Sequence, residues 1–411
     1  MILQIKSWLL NIPQLFLLLL FFRFFTEFLD RELVISTSPI ITVLIYCVAI
    51  VNVFQIWKFP KQVTMLSRAL IVIMVSGIIS ALYAELVSPV VAWKQIYKYS
   101  LYAMLPMLGY SLGLRYSTAQ MFIGVIGVAS FISFIYAVFD GISGGASVIY
   151  GVGAEGTTFG FGSHPVLYGI QIVIVMTFIF FCSNVGLLRW SKLSQIFFLC
   201  FSVLALFFTT AKTAWLIFAY ILYTQLGKLF HIPKVLSFVL MFLTISLLVS
   251  TKYFSGLESI VDFIRSEDFL RTNNYEYIES SFHWRIVQWV GLFKVGVENF
   301  AWGVGPSQII FYNKYGLSAH SSLLEMFVEQ GVVGFLSYVY LLVIFIRYSY
   351  EKKIFKERVL IRAFVVSIII ISTFSVSLFN QTMNMMLILI MFGFLWSPLV
   401  VRHIKVACQR V

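Results

Sequence analysis

The sequence is short of charge. Only 11% of its 411 residues are Asp, Glu, Lys or Arg, against about 25% in an ordinary soluble domain. With 60% hydrophobic residues, the chain cannot cover itself with polar groups, which excludes a soluble globular protein. Cysteine is scarce as well. Cys47, Cys182, Cys200 and Cys408 all lie in or beside apolar runs and none falls in the longest polar stretch, so neither a disulfide framework nor a Cys-based metal site is supported. The glycine-rich stretch DGISGGASVIYGVGAEGTTFGFGSH (140–164) lacks the Lys-[Ser/Thr] ending and the strand–helix context of a phosphate-binding loop. It reads as a flexible connector or as the lining of a substrate path. No internal repeat marks the two halves of a transporter.

What the chain has is apolar sequence in span-length runs. About 20 apolar residues suffice to cross a bilayer, and such runs fall near 8–29, 37–56, 65–85, 96–115, 119–140, 164–184, 193–210, 212–229, 233–252, 321–347, 358–379 and 381–400. The expected fold class is therefore an all-α polytopic membrane protein of about twelve transmembrane helices. The first run (12–28) resembles a signal peptide but has no small-residue cleavage site, so it reads as a retained first span. Forty-two Phe, 21 Tyr and 9 Trp suit a bilayer-embedded body with aromatic interface belts.

The net charge of +12 is a topology signal. Lys6, then Lys58, Lys61 and Arg68, then Arg115, Arg189, Lys192, Lys228, Lys234, Arg347, Lys352, Lys353, Lys356, Arg358, Arg402, Lys405 and Arg410 all fall on one set of alternating connections. The positive-inside rule makes these connections and both termini cytoplasmic, and no nucleic-acid partner is implied. The chain then divides into an N-terminal membrane part (1–250, about nine helices), one large outward loop (251–319) and a C-terminal membrane part (320–411, about three helices).

A loop as long as 251–319 is usually functional or disordered. This one holds six Lys/Arg and seven Asp/Glu, a near-neutral balance, and Tyr253, Tyr275, Tyr277, Trp284, Trp289, Trp302, Tyr312 and Tyr315. It is too aromatic for a disordered segment. Its stretch SSFHWRIVQWVGLFKVGVENF (280–300) has the pattern of an amphipathic helix, and WGVGP (302–306) breaks it.

Three residues there could carry chemistry. In SAHSSLLEMFVEQGVVGF (318–335), a helix capped by Ser318 puts His320 in its first turn. Leu324, Phe327, Gly331 and Tyr338 then share the histidine's face, Gly334 lies about 40° away, and Glu325 and Glu329 point to the other side. The positive end of the helix dipole favours a neutral imidazole, able to take a proton from a hydroxyl. The plainer reading is an interfacial histidine above a small-residue packing seam. Arg285 sits in FHWRIVQWV with Trp289 one turn on, where it could hold a phosphate in bidentate fashion while the indole stacks on a sugar or on the cation. A rim arginine paired with Glu279 or a lipid headgroup is its alternative. Lys212, in FFTTAKTAWLIF (207–218), lies between two runs joined by almost no loop, as a functional cation or a snorkelling one. Arg23 and Glu27, four apart in the first run, read as a structural helix pair. No carboxylate cluster or His/Cys ligand spacing accompanies these residues, so neither a metal nor another cofactor is expected.

His320-Ser321, nine residues, then Gly331-Val-Val-Gly334 resembles the H-[NSQ]-x9-G-x-x-G pattern of the O-antigen ligase/polymerase family. Residues 282–308 resemble the arginine, tryptophan and glycine-rich stretch that leads into that histidine. The likeness covers 207–345 sharply and the rest as architecture. It implies a GT-C-like membrane glycosyltransferase without metal, whose donor is a glycan on undecaprenyl pyrophosphate and whose acceptor is another glycan or lipid A–core. His320 becomes the base or acceptor-positioning group, and Arg285 a pyrophosphate or glycan contact. Lys212, Trp289 and Ser321 join the substrate-binding set, with Gly331 and Gly334 as the structural part of the motif. The family often has arginine where this chain has Lys212. Its implied surroundings are the bacterial inner membrane, a periplasmic active face, and assembly partners such as a chain-length regulator and a flippase. Polymerase and ligase both fit, with polymerase favoured by the Lys212 departure and by the lack of an extra basic outward patch for an acidic core. A polytopic transporter or flippase is the reading from another class; it calls for ionisable residues around a mid-membrane cavity.

Overall fold

The computed structural model describes residues 12–33, 37–55, 58–143, 165–188, 190–209, 281–313, 318–349 and 382–409, with isolated positions between 211 and 239 and between 365 and 369. All regular structure among the described residues is helical. In chain order the helices are α1 Ile12–Leu33, α2 Ser38–Gln55, α3 Lys61–Tyr83, α4 Pro89–Leu112, α5 Tyr116–Ile142, α6 Pro165–Asn184 and α7 Lys192–Thr209. They are followed by α8 Ser281–Glu298, α9 Ile309–Tyr312, α10 Ser322–Ser349, α11 Thr382–Leu395 and α12 Pro398–Gln409. In a bilayer every backbone polar group must be satisfied within its segment, and helices do this locally.

Lys61–Tyr83, Tyr116–Ile142, Val166–Asn184, Lys192–Thr209 and Ser322–Arg347 are long and apolar enough to cross a membrane. Pro13–Thr26, Ser38–Phe54 and Met383–Leu395 are shorter apolar helices. Their exposed faces stay apolar, as at Leu18, Phe22, Val72, Val75, Val128 and Leu204, as hydrocarbon contact requires. The runs expected at 212–229, 233–252 and 358–379, together with Lys212, lie outside the described residues apart from isolated positions. The run expected at 381–400 is two helices. The chain turns at Ser397, whose N–H reaches Phe394 O at 3.0 Å, and Pro398 opens α12, where its missing N–H costs nothing.

Helix α4 is central, packed against α2, α3 and α11. Its crossing with α11 is set by glycines: a β-carbon on Gly109 would strike Ile390 O, and one on Gly393 would strike Pro106 O. Small residues allow this close backbone approach where the solvent supplies no hydrophobic drive. Gly393→Val should therefore push α4 and α11 apart, costing at least about 1–3 kcal/mol as overpacking against rigid backbone. The check is the melting temperature of the purified protein in nanodiscs. Gly124→Ala, where nothing lies within 4 Å, should melt like the parent.

Helix α10 packs along α3 and also against α8. It is not one straight rod. Gly331 has φ 63° and ψ −160°, a region open essentially to glycine alone, and the helix breaks there.

Candidate functional site

The break in α10 is filled by backbone from the connection after α8. Helical pairing would send the Val332 N–H to Val328 O, but it donates to Phe300 O instead, at 2.9 Å. The released carbonyls take donors from the WGVGP stretch: Val304 N–H to Val328 O and Gly305 N–H to Glu329 O, both at 2.9 Å. Ser80 of α3 adds a hydroxyl donor to Glu329 O at 2.7 Å. The helix interruption thus leaves its buried backbone groups satisfied, as burial demands. Gly331 is where the backbones meet, since a β-carbon there would lie 2.5 Å from Ala301 O and 2.7 Å from Phe300 O. The close approach expected from the glycine pair occurs at Gly331. At Gly334 the first atoms met are those of Gln330, in the same helix.

Two further ties hold the segment. The buried Gln308 amide pairs with both backbone groups of Ser88, accepting from its N–H at 2.8 Å and donating to its C=O at 3.0 Å. The buried Glu329 carboxyl group accepts backbone N–H groups of Ser307 and Ile309. A small second core then closes under the connection, formed by Leu292, Val304, Ile309, Ala319 and Val328.

Ala319 belongs to that core because α8 holds it there. Gln288 Nε2 donates to Ser318 O at 2.8 Å, and Trp289 Nε1 donates to Ala319 O at 2.6 Å. This clamp overturns the expected start of α10. Ser318 cannot cap the helix while its carbonyl is drawn to α8. The helix begins instead at Ser322, Ser321 is its cap, and the Leu324 N–H approaches Ser321 Oγ at 3.4 Å. His320 is thus not in the first turn. It precedes the helix by two residues with φ 52°, a left-handed conformation in which Asn, Asp and His are the enriched non-glycine residues. The shared face of His320, Gly331 and Tyr338 is lost as well, because the Gly331 break resets the helix phase.

Arg285 lies on α8 one turn before Trp289 and is half-buried. Burial holds its guanidinium below the ordinary arginine range, so the cation gains by meeting an anion. The structure therefore brings Arg285, Trp289, His320 and Ser321 into one assembly of α8, the clamped segment and the α10 mouth. Trp289 is engaged through its indole N–H.

Sequence reasoning missed the polar cluster behind this assembly. Glu325 and Glu329 are each 1% exposed, and Lys98 of α4 lies in the field of both, with Lys94 and Arg23 contributing from the cationic side. Ionisable residues placed within an apolar helix bundle are costly, and by default they mark functional positions. Periodicity dismissed the two glutamates for facing away from His320, and only the packing of α3 and α4 shows what they face. Among the described residues no group of three or more His, Cys, Asp or Glu side chains is placed to hold a metal ion.

A helical membrane protein with a broken helix, a long connection docked into the break and a histidine at the helix mouth is the class that fold and site define. Residues 196–339 of the 411 match the family model described as O-antigen ligase, Wzy_C, and this match supports the O-antigen ligase/polymerase family. The matched range contains Arg285, Trp289, His320, Ser321, Gly331 and Gly334. No curated protein matches the chain.

Proposed function

We propose that the protein is a glycosyltransferase of the bacterial inner membrane that polymerises glycan repeat units at the periplasmic face. The donor is a glycan on undecaprenyl pyrophosphate, and the acceptor is a sugar hydroxyl of a second lipid-linked unit. The observation that carries this reading is the clamp, by which the helix bearing Arg285 fixes the two residues before His320 through Gln288 and Trp289. It ties an anion-binding cation to a proton acceptor within one rigid unit.

In the reaction the acceptor oxygen bonds to the donor's anomeric carbon and its proton passes to His320. The bond from that carbon to the pyrophosphate oxygen breaks, and the lipid pyrophosphate leaves with the electron pair. Arg285 balances the charge that develops on the leaving group. The proposed mechanism uses no metal, and Lys212 is proposed as a second cation for the same group.

Losing one charge-assisted contact should lower transfer about 10- to 100-fold in Arg285→Ala. Arg285→Lys should recover part of that loss, since an ammonium keeps the charge but not the planar fork. The measurement is glycan production in cells lacking the native gene, normalised to protein level; wild-type glycan from the alanine variant rules the role out. Because the matched family model is described as O-antigen ligase, transfer of finished polymer to lipid A–core is the second reading. The products separate the two: loss of a polymerase leaves single repeat units on the core, and loss of a ligase leaves polymer on the carrier lipid.

A further inference from the structure

A cleft of about 390 Å³ opens where the α3–α4 connection meets the segment after α8, within the range of about 300–1,000 Å³ common for small-molecule sites. Both segments belong to connections that the charge pattern assigns to the periplasmic side. Its lining includes Tyr83, Glu85, Glu298, Asn299, Trp302 and Tyr312, with the rest of residues 300–304. The Tyr83 and Trp302 rings stack at 5.1 Å and 20°, yet Tyr83 is 69% and Trp302 43% exposed, so the pair presents open aromatic surface. Asn299 donates one amide N–H to Val295 O at 2.9 Å, and its amide also carries a second N–H donor and a carbonyl acceptor. The walls are preformed. Gly303, at φ 71°, lies against the backbone of Glu329, Val304 and Gly305 are bonded into the α10 break, and Gln308 locks the segment to Ser88.

We infer that this cleft binds a sugar unit of the glycan substrate, and that it selects neutral or amino-bearing sugars over those carrying a carboxylate or phosphate. This rests on the proposed glycosyltransferase reading. Aromatic faces suit the C–H faces of a pyranose, and carboxylate and amide oxygens accept from its hydroxyls. Among the described residues the lining holds two carboxylates and no Lys or Arg, so ammonium and hydroxyl donors are favoured and an anionic sugar meets like charge. The same repulsion disfavours the phosphate of a lipid headgroup, which a plain interfacial aromatic belt would accept. The segment bonded to Val328 and Glu329 lies about 12 Å of helix rise from Ser321, which suits an outer subsite next to the reacting sugar.

The test uses the full chain in nanodiscs of zwitterionic lipid and saturation-transfer NMR with three probes: neutral tri-N-acetylchitotriose, its cationic de-N-acetylated form and anionic trigalacturonate. The first two should bind, and trigalacturonate should bind about tenfold more weakly or not at all. Trp302→Ala should weaken the neutral probe about tenfold while Trp302→Phe retains it. Glu85→Gln combined with Glu298→Gln should admit trigalacturonate. Absence of binding by all three probes, equal binding of the anion, indifference to Trp302→Ala, or a signal that follows lipid headgroup composition overturns the inference. Cells keep the two proposals apart. If His320→Ala abolishes glycan while no probe binds, the cleft assignment fails and the enzyme reading stands. If His320→Ala leaves glycan normal, the enzyme reading fails, whereas the probes still report on the cleft.

Discussion

Replacing His320 with alanine should lower glycan transfer about 100- to 10,000-fold, the range that general-base catalysis contributes. Two separate losses are mixed in that variant. Alanine removes the imidazole, and it also strains the backbone, because a left-handed conformation costs an ordinary L-residue roughly 1–2 kcal/mol. His320→Asn separates them. Asparagine tolerates the left-handed region, so the clamp of Ser318 and Ala319 onto α8 should survive and the melting temperature should stay near that of the parent. Its amide cannot accept the proton, so transfer should stay as low as in the alanine variant. Recovery of transfer by asparagine would mean that His320 serves only as a turn residue before α10, and the base assignment would be withdrawn. Any residual activity in the asparagine protein should also lose the acid limb of its pH–rate profile, since no imidazole remains to be protonated.

Much of the architecture was legible because it follows from composition and period. Apolar runs located most helix cores, and the alternation of aliphatic and polar residues in 280–300 outlined α8 (Ser281–Glu298). The local design of the site was less so. His320 and Gly331 could be singled out as unusual in an apolar run, yet their conformations could not be read, because both are imposed from elsewhere in the chain. Gln288 and Trp289, some thirty residues upstream, hold the carbonyls of 318–319 against α8, so that the helix starts late and Ser321 caps it. A helical wheel assumes the helix continues through Gly331, and the Val304 and Gly305 bonds that replace its pairing lie in a loop. Glu325 and Glu329 were set aside on the same wheel, and the cation whose field they share, Lys98, lies more than two hundred residues before them. Long-range pairing of this kind has no period to detect. Polar residues set into apolar runs were the available sign, and Gln95, Lys98, Glu329 and Gln330 all carry it.

The largest structural effect is expected from Gly331→Ala. A single methyl group meets two obstacles at once. The observed φ 63° and ψ −160° are essentially closed to residues with a β-carbon, a strain of about 1–3 kcal/mol. The new carbon would also lie 2.5 Å from Ala301 O and 2.6 Å from Ala301 C, atoms of a backbone that cannot swing aside as a flexible side chain would. Relief requires α10 to heal into a continuous helix, with Val332 returning to Val328 O, and that expels residues 300–305 from the break. Those residues lead directly out of α8, so α8 shifts and the Gln288 and Trp289 clamp loses its register. Transfer should consequently fall as far as in the His320 variants although residue 331 touches no reacting atom, and the melting temperature in nanodiscs should drop clearly. Gly291→Ala is the matched control, lying in α8 with nothing within 4 Å of the new carbon. It should leave both quantities unchanged or raise stability slightly, since alanine is the better helix former by about 1 kcal/mol. A Gly331→Ala protein with parental melting temperature and transfer would show that the break in α10 does not position the histidine.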